Sequence, residues 1–407
     1  MKTIKKTPIT AILLALGIST AITSDVNAQD DAATGGAAEL LVPDATQQTQ
    51  VADAFVYPPT AALMTPFESF DGAASLGAWY TQADGFVGTA GIEQERFFGG
   101  EGDASLGLSL GRYSRNLTFN LLFEDDSAAN VTKALTINAF SRKPTAYVGG
   151  SYELLGTSVS LAFGRDIAPN LRANVEFAID RVKIDDVSQL PVPLRPSFDK
   201  NGGKSLLVPV VTSIVRDTRK GTHFTVSGQM LSLELELGVG GDTRYLRLTS
   251  AYQGHRQLGE SWSIGLRGMA GYGVGLSGDA FPVLRNFYIG GPGSVRGFAE
   301  GALGGTRFET EAGTIGTVGG NKALSGSIEL AYDPAELEKL RLLGFVDMGA
   351  AFSPSDRLNS SQLRVSTGVS AQWAMPFGQV NLSLSQPLRS QAIDRVQKVQ
   401  FGITSKF

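Results

Sequence analysis

The sequence predicts an all-β fold: a transmembrane antiparallel β-barrel of about sixteen strands, with one long glycine-rich loop able to fold back into its lumen. Three observations point to it. Apolar and polar residues alternate with a period of two along most of the chain. After the first 28 residues no apolar run is long enough for a membrane helix. A glycine-rich stretch, Asn286–Phe298, carries a single arginine, Arg296. The mean hydropathy of +0.01 and the 49 glycines suit a barrel with one oily and one wet face as well as a soluble α/β protein, so the pattern must decide. Without a helix, only closure satisfies every backbone N–H and C=O in a bilayer.

At the N-terminus, Lys2, Lys5 and Lys6 precede an apolar stretch from Ile9 to Ile22, and Val26-Asn27-Ala28 offers small residues for cleavage. Residues 1–28 therefore read as a secretory signal peptide rather than an anchor. Residues 29–84, dominated by Ala, Thr, Gln and Asp and interrupted by Tyr57-Pro58-Pro59, are expected to form a flexible periplasmic segment. The barrel is expected over 85–407.

Leu106, Leu108 and Leu110 alternate with Ser105, Gly107 and Ser109 early in that region. Val380, Leu382 and Leu384 oppose Gln379, Asn381 and Ser383 near its end. In the last strand Val399, Phe401, Ile403 and Phe407 share one face, with Gln400, Gly402, Thr404 and Lys406 on the other. Each segment is a weak signal, and the repetition gives it force. Sixteen candidate strands result, at 86–96, 103–113, 116–124, 132–141, 146–165, 171–186, 204–216, 223–239, 243–256, 261–275, 295–309, 323–333, 341–352, 362–374, 379–388 and 396–407. The tight turn at Met375–Gln379 contrasts with the long glycine-rich region 268–323, the asymmetry an outer-membrane barrel shows.

Composition excludes several functions. An excess of acidic over basic residues, 39 to 35, argues against nucleic acid as partner. The chain has no cysteine, which removes disulfides and thiolate metal sites. Its two histidines give little for catalysis: His223 follows Thr222 at a strand start and His255 lies in an expected turn, so a serine hydrolase would lack a base beside its nucleophile. No Lys-Ser pair follows the glycine-rich loop, so it is no phosphate cradle. No catalytic residue, metal or cofactor is expected.

Gly290-Gly291 followed by Ser294-Val295-Arg296-Gly297-Phe298 resembles the signature loop of the BamA/TamA outer-membrane assembly superfamily, the bacterial surface antigen family that includes two-partner secretion transporters. Further motifs follow in the family's order: Gly319-Gly320-Asn321, Ser327-Ile328-Glu329-Leu330, Phe345-Val346-Asp347-Met348-Gly349 and Arg364-Val365-Ser366-Thr367-Gly368. Upstream, Arg216-Asp217-Thr218-Arg219 with Gly228, and Gly240-Gly241-Asp242 with Tyr245, resemble preceding strands.

The resemblance implies that the loop lies in the lumen, with Arg296 pairing acidic side chains on the twelfth and thirteenth strands. The matching residues are Glu329 and Asp347. Their position opposite Leu324, Ile328 and Leu330, and opposite Leu342, Val346 and Met348, independently turns both carboxylates inward. An arginine fork matches such acceptors where lysine would offer only a point charge.

The implied function is assembly or translocation: helping outer-membrane proteins insert, or passing polypeptides, through a weak seam between first and last strands. Gly85, Gly88 and Gly91 in the expected first strand would weaken pairing, and an openable edge could template a client strand. Phe401, Gly402, Ile403 and Phe407 would supply the other side of the seam and the barrel's own insertion signal. Expected partners are outer-membrane lipids and unfolded outer-membrane or secreted clients. Residues 29–84 do not fit the family's periplasmic receptor modules, the POTRA domains, so either a separate periplasmic receptor or lipoprotein supplies capture, or the chain acts on lipids or small clients without one. The alternative is a passive outer-membrane channel or structural barrel.

Overall fold

The computed structural model describes residues 74–406 except 83–84, 98–101, 125–130, 144–151, 185, 222–223, 310–312, 314, 338 and 376–377. The expected signal peptide 1–28, most of the 29–84 segment, His223 and Phe407 lie outside the described residues.

Sixteen strands form one closed antiparallel barrel in which each pairs with its sequence neighbours. They are β1 Ala74–Thr81, β2 Gly85–Phe97, β3 Gly102–Leu110, β4 Ser114–Glu124, β5 Val131–Arg142, β6 Leu154–Ala168, β7 Leu171–Ile184, β8 Lys204–Asp217, β9 Gly228–Gly241, β10 Tyr245–Gln257, β11 Trp262–Gly275, β12 Lys322–Tyr332, β13 Leu340–Phe352, β14 Arg364–Met375, β15 Gly378–Arg389 and β16 Val399–Lys406.

The count agrees with the expected sixteen, but through two compensating errors. Ala74–Thr81, assigned from sequence to the flexible segment, is the first strand, so the barrel begins at 74 rather than 85. The stretch 295–309, expected as a strand, lies in the loop between β11 and β12 and contributes only the short pieces Gly297–Phe298 and Arg307–Glu309. Its glycines 297, 301, 304 and 305 have φ between 66° and 89°, a conformation no regular strand holds. His255, expected in a turn, belongs to β10, which runs on to Gln257.

The expected alternation sets the two faces. Leu324, Ile328, Leu330, Leu342, Val346, Met348, Val369 and Trp373 are exposed on the outer wall. The inner wall of the early strands is an amide and hydroxyl ladder. Asn120 donates to Ser105, Thr136 to Asn120, and Asn138 to both Asn116 and Thr118, at 2.6–3.3 Å. Small polar residues therefore face inward because they satisfy one another there. Register shifts fall at Val208/Pro209 and opposite Pro387, where proline removes a ladder donor.

Candidate functional site: the arginine lock in the lumen

The 276–321 loop re-enters the barrel because glycines let it turn within a crowded space. Gly290 and Gly291 have φ of 119° and 96°, and the turn is held by Gly290 N–H donating to Ser294 Oγ at 2.8 Å and Ser294 N–H donating to Gly291 O at 3.2 Å. A side chain on Gly297, at φ 89°, would approach Ser385 and Ser366 to 3.0 and 3.4 Å. The loop thus presses its Val295–Phe298 tip against β13, β14 and β15. Gly349 on β13 leaves the space for it, since a Cβ there would sit 2.9 Å from Val295. Val295 and Phe298 are fully buried with Phe287, Ile289, Leu303, Ala323 and Ala351.

Arg296 stands at the tip. Its Nε donates to Asp347 Oδ2 and its Nη2 to Asp347 Oδ1, both at 2.7 Å, and its backbone N–H donates to Oδ2 at 3.0 Å. Nη2 also lies 2.6 Å from Glu329 Oε1 and 3.1 Å from Ser327 Oγ. The guanidinium carbon sits 3.5 Å over the Phe345 ring, a cation–π contact on its remaining face. Register explains the convergence: Ser327 pairs with Asp347 and Glu329 with Phe345 across β12 and β13, so all four side chains enter the lumen as one patch. Asp347 is wholly buried and Arg296 nearly so. Burial alone would lower the Arg296 pKa, but the hydrogen bond and charge of Asp347, with Glu329, hold it above its ordinary value. The expected partners Glu329 and Asp347 are therefore both at the arginine, and the other motif residues, Gly290, Gly291, Ser294, Val295, Gly297 and Phe298, lie in the same in-folded loop.

The same tip reaches the last strand. Gly297 N–H donates to Gln400 Oε1 at 3.2 Å, and Gln400 Nε2 donates to Phe298 O at 2.8 Å. Gly297–Phe298 also pairs with Val396–Gln397, just ahead of β16. Beside it, Asp394 accepts from Arg364 Nε and Nη2 at 2.8 Å, with Arg307 at 3.2 Å. Sequence pattern put Gln400 on the wet face of the final strand, which is where it lies. Nothing in the pattern marked Asp394 or the loop arginines 285 and 307, whose partners are far apart in sequence.

The seam requires a correction. Gly85, Gly88 and Gly91 belong to β2, paired with Thr81, Ala78 and Ser75 of β1, and stand one strand away from the junction. Alternation in Ala74–Thr81 is interrupted by Gly77 and small residues, which hid the true first strand. Among the described residues the junction joins β1 to β16 through four residue pairs, Gly77 to Lys406, Ala78 to Ser405, Trp79 to Thr404 and Tyr80 to Ile403. Neighbouring strands β10 and β11 share thirteen. Ile403 is thus a seam residue, the Phe401 ring lies 5.9 Å from that of Tyr80, and Gly402 pairs on the other side with Asn381 of β15.

A closed sixteen-stranded barrel whose lumen holds an arginine-tipped loop defines a class of membrane proteins. The chain matches the Omp85 superfamily domain over residues 97–407, and it belongs to that superfamily. Among curated proteins it is 23% identical to the outer membrane protein assembly factor BamA of Neisseria meningitidis serogroup B, over 84% of this chain and 48% of that one. It is 24% identical to a SAM50-like protein of Schizosaccharomyces pombe, over 77% and 67%. The chain therefore spans about half the length of the Neisseria protein. Among solved structures, BamA from Haemophilus ducreyi lacking POTRA domains 1–3 superposes with a TM-score of 0.75 at 20% identity, covering 84% of this chain and 71% of that one. CdiB from Acinetobacter baumannii follows at 0.52 and 13%, covering 82% and 59%; at these identities the likeness is one of fold.

Proposed function

We propose that this chain resides in the outer membrane and promotes the assembly of other outer-membrane proteins, with the β1/β16 junction as the working edge. The four-pair junction carries the reading. Cross-strand pairs contribute about 0.2–1 kcal/mol each, so the junction is the cheapest place in the wall to part. Parting it would present backbone donors and acceptors to an incoming strand, which adds by β-augmentation. Kinship with assembly factors in the superfamily supports the client class, unfolded outer-membrane proteins, and the bilayer supplies the lipid partner.

A passive channel is the weaker reading. Leu190, Leu194 and Phe198 of the 186–203 loop pack with Leu284, Tyr288 and Val318 of the in-folded loop and with Tyr152, Leu154, Val182 and Ile184 at the strand ends. That apolar core stands at the long-loop end of the lumen, where a conducting pore needs polar space.

The test is reconstitution of the purified barrel in liposomes with an unfolded barrel client. Faster client folding than in empty liposomes, diminished by Arg296→Ala, is the expected result. Equal rates in all three preparations would refute autonomous assembly activity.

A further inference from the structure

The loop carries a second buried arginine with a lock of its own. Arg285 ends the short 3-10 turn Val283–Arg285 and is 5% exposed. Its Nη2 donates to Asp180 of β7. Its Nε lies 2.9 Å from Glu236 Oε1 of β9 and 3.1 Å from the Tyr245 hydroxyl of β10, and that hydroxyl donates to Glu236. Ser158 of β6 donates to the other Asp180 oxygen, fixing the acceptor. Arg247 stands alongside, 3.3 Å from Glu234 and 3.7 Å from Glu236, with its guanidinium 4.4 Å over the Phe287 ring. Leu284 and Tyr288, on either side of Arg285, enter the apolar core of the long-loop end.

The two arginines hold different parts of the loop to different arcs of the wall. Arg285 ties the entering limb to β7, β9 and β10, whereas Arg296 ties the tip to β12 and β13. They share no carboxylate. An arginine paired in a fixed fork with buried carboxylates is a strong, geometrically specific anchor, and anchors without shared partners act additively.

We propose that Arg285 is a second positioning residue of the in-folded loop, holding its entering limb independently of Arg296, so that the loop leaves the lumen in two separable stages. This goes beyond the assembly reading and stands without it, since it concerns the resting loop alone.

The chain's lack of cysteine makes the test direct. Leu284→Cys reports the entering limb and Val295→Cys the tip; both sites are buried. Labelling by a maleimide is followed in folded, liposome-embedded protein, with heat-modifiable gel mobility selecting folded barrels. Arg285→Met is expected to speed labelling of Leu284→Cys by about tenfold or more while leaving Val295→Cys within about twofold, as local opening confined to one limb requires. Arg296→Met should do the reverse. Asp180→Asn, which keeps Arg285 and removes one of its two carboxylate partners, should reproduce the Arg285→Met pattern and decides the matter if Arg285→Met does not fold. A protected Leu284→Cys in both the Arg285→Met and Asp180→Asn backgrounds, or equal response of both cysteines to either arginine change, would overturn the proposal.

Discussion

Arg296 and Asp347 form a pair joined by two side-chain bonds and a backbone contact and almost wholly buried, so losing one partner leaves the other as a buried, unpaired charge. Arg296→Ala should therefore cost about 3–5 kcal/mol of barrel stability, the range for an orphaned buried charge, read as a shift in the urea unfolding midpoint in lipid vesicles. Arg296→Lys should recover only part of that, because one ammonium cannot span both Asp347 oxygens and Glu329. Asp394 gives a pH dependence. Burial alone would raise its pKa, but hydrogen bonds from Arg364 and the Gln391 N–H, with the charges of Arg364 and Arg307, hold it below its usual 3.8. A depressed carboxyl stabilises the fold at and above its unfolded pKa and ceases to do so as pH falls through the lower folded value. The stability gap between wild type and Asp394→Asn should thus be constant at neutral pH and shrink below about pH 3.8, which unfolding curves at stepped pH will show. Arg296 was legible in sequence from its loop motif, and Glu329 and Asp347 because motif and strand parity both pointed to them. Arg285 and Asp394 were not: each lies in a loop, where no period fixes direction, and each takes its partners from other elements.

The strands and the loop were legible to different degrees for a related reason. Period-two alternation marks a strand with an oily outer face, and it located β12 to β15 to within a few residues. It failed at Ala74–Thr81, where Gly77 and small side chains blur the alternation, and the strand expected at 295–309 is forbidden by left-handed glycines. The fit between loop and wall follows from glycines on both. Gly349→Val would place a side chain against Val295 and the Leu324 carbonyl, 2.9 and 2.8 Å from its Cβ. Overpacking of this kind costs about 1–3 kcal/mol. The variant should still close as a barrel, with its 276–321 loop cut faster than in wild type by added protease in detergent; an unchanged cleavage rate would show that the wall tolerates the extra bulk.

Across the described residues, apolar packing and ionic anchors occupy the lumen, while the ladder joining β1 and β16 is the shortest in the wall. The barrel is accordingly expected to show little steady current in planar bilayers; a large, continuous conductance would favour the channel reading. Closure and inward polarity were foreseeable from the chain's patterning, since most of the strands obey one alternation. The identity of the junction was not, because it depends on where pairing stops at the first strand, and that is decided by four residue pairs. The central claim, that clients fold at this junction, is tested most directly by locking it. Ala78 and Ser405 face each other across β1 and β16, and a cysteine at each position, in a chain with none of its own, permits a reversible disulfide. Client folding in liposomes would be timed with the doubly substituted barrel oxidised and then reduced. The account predicts acceleration by the reduced form and a rate equal to that of empty liposomes when the disulfide is closed; equal acceleration in both states would contradict it.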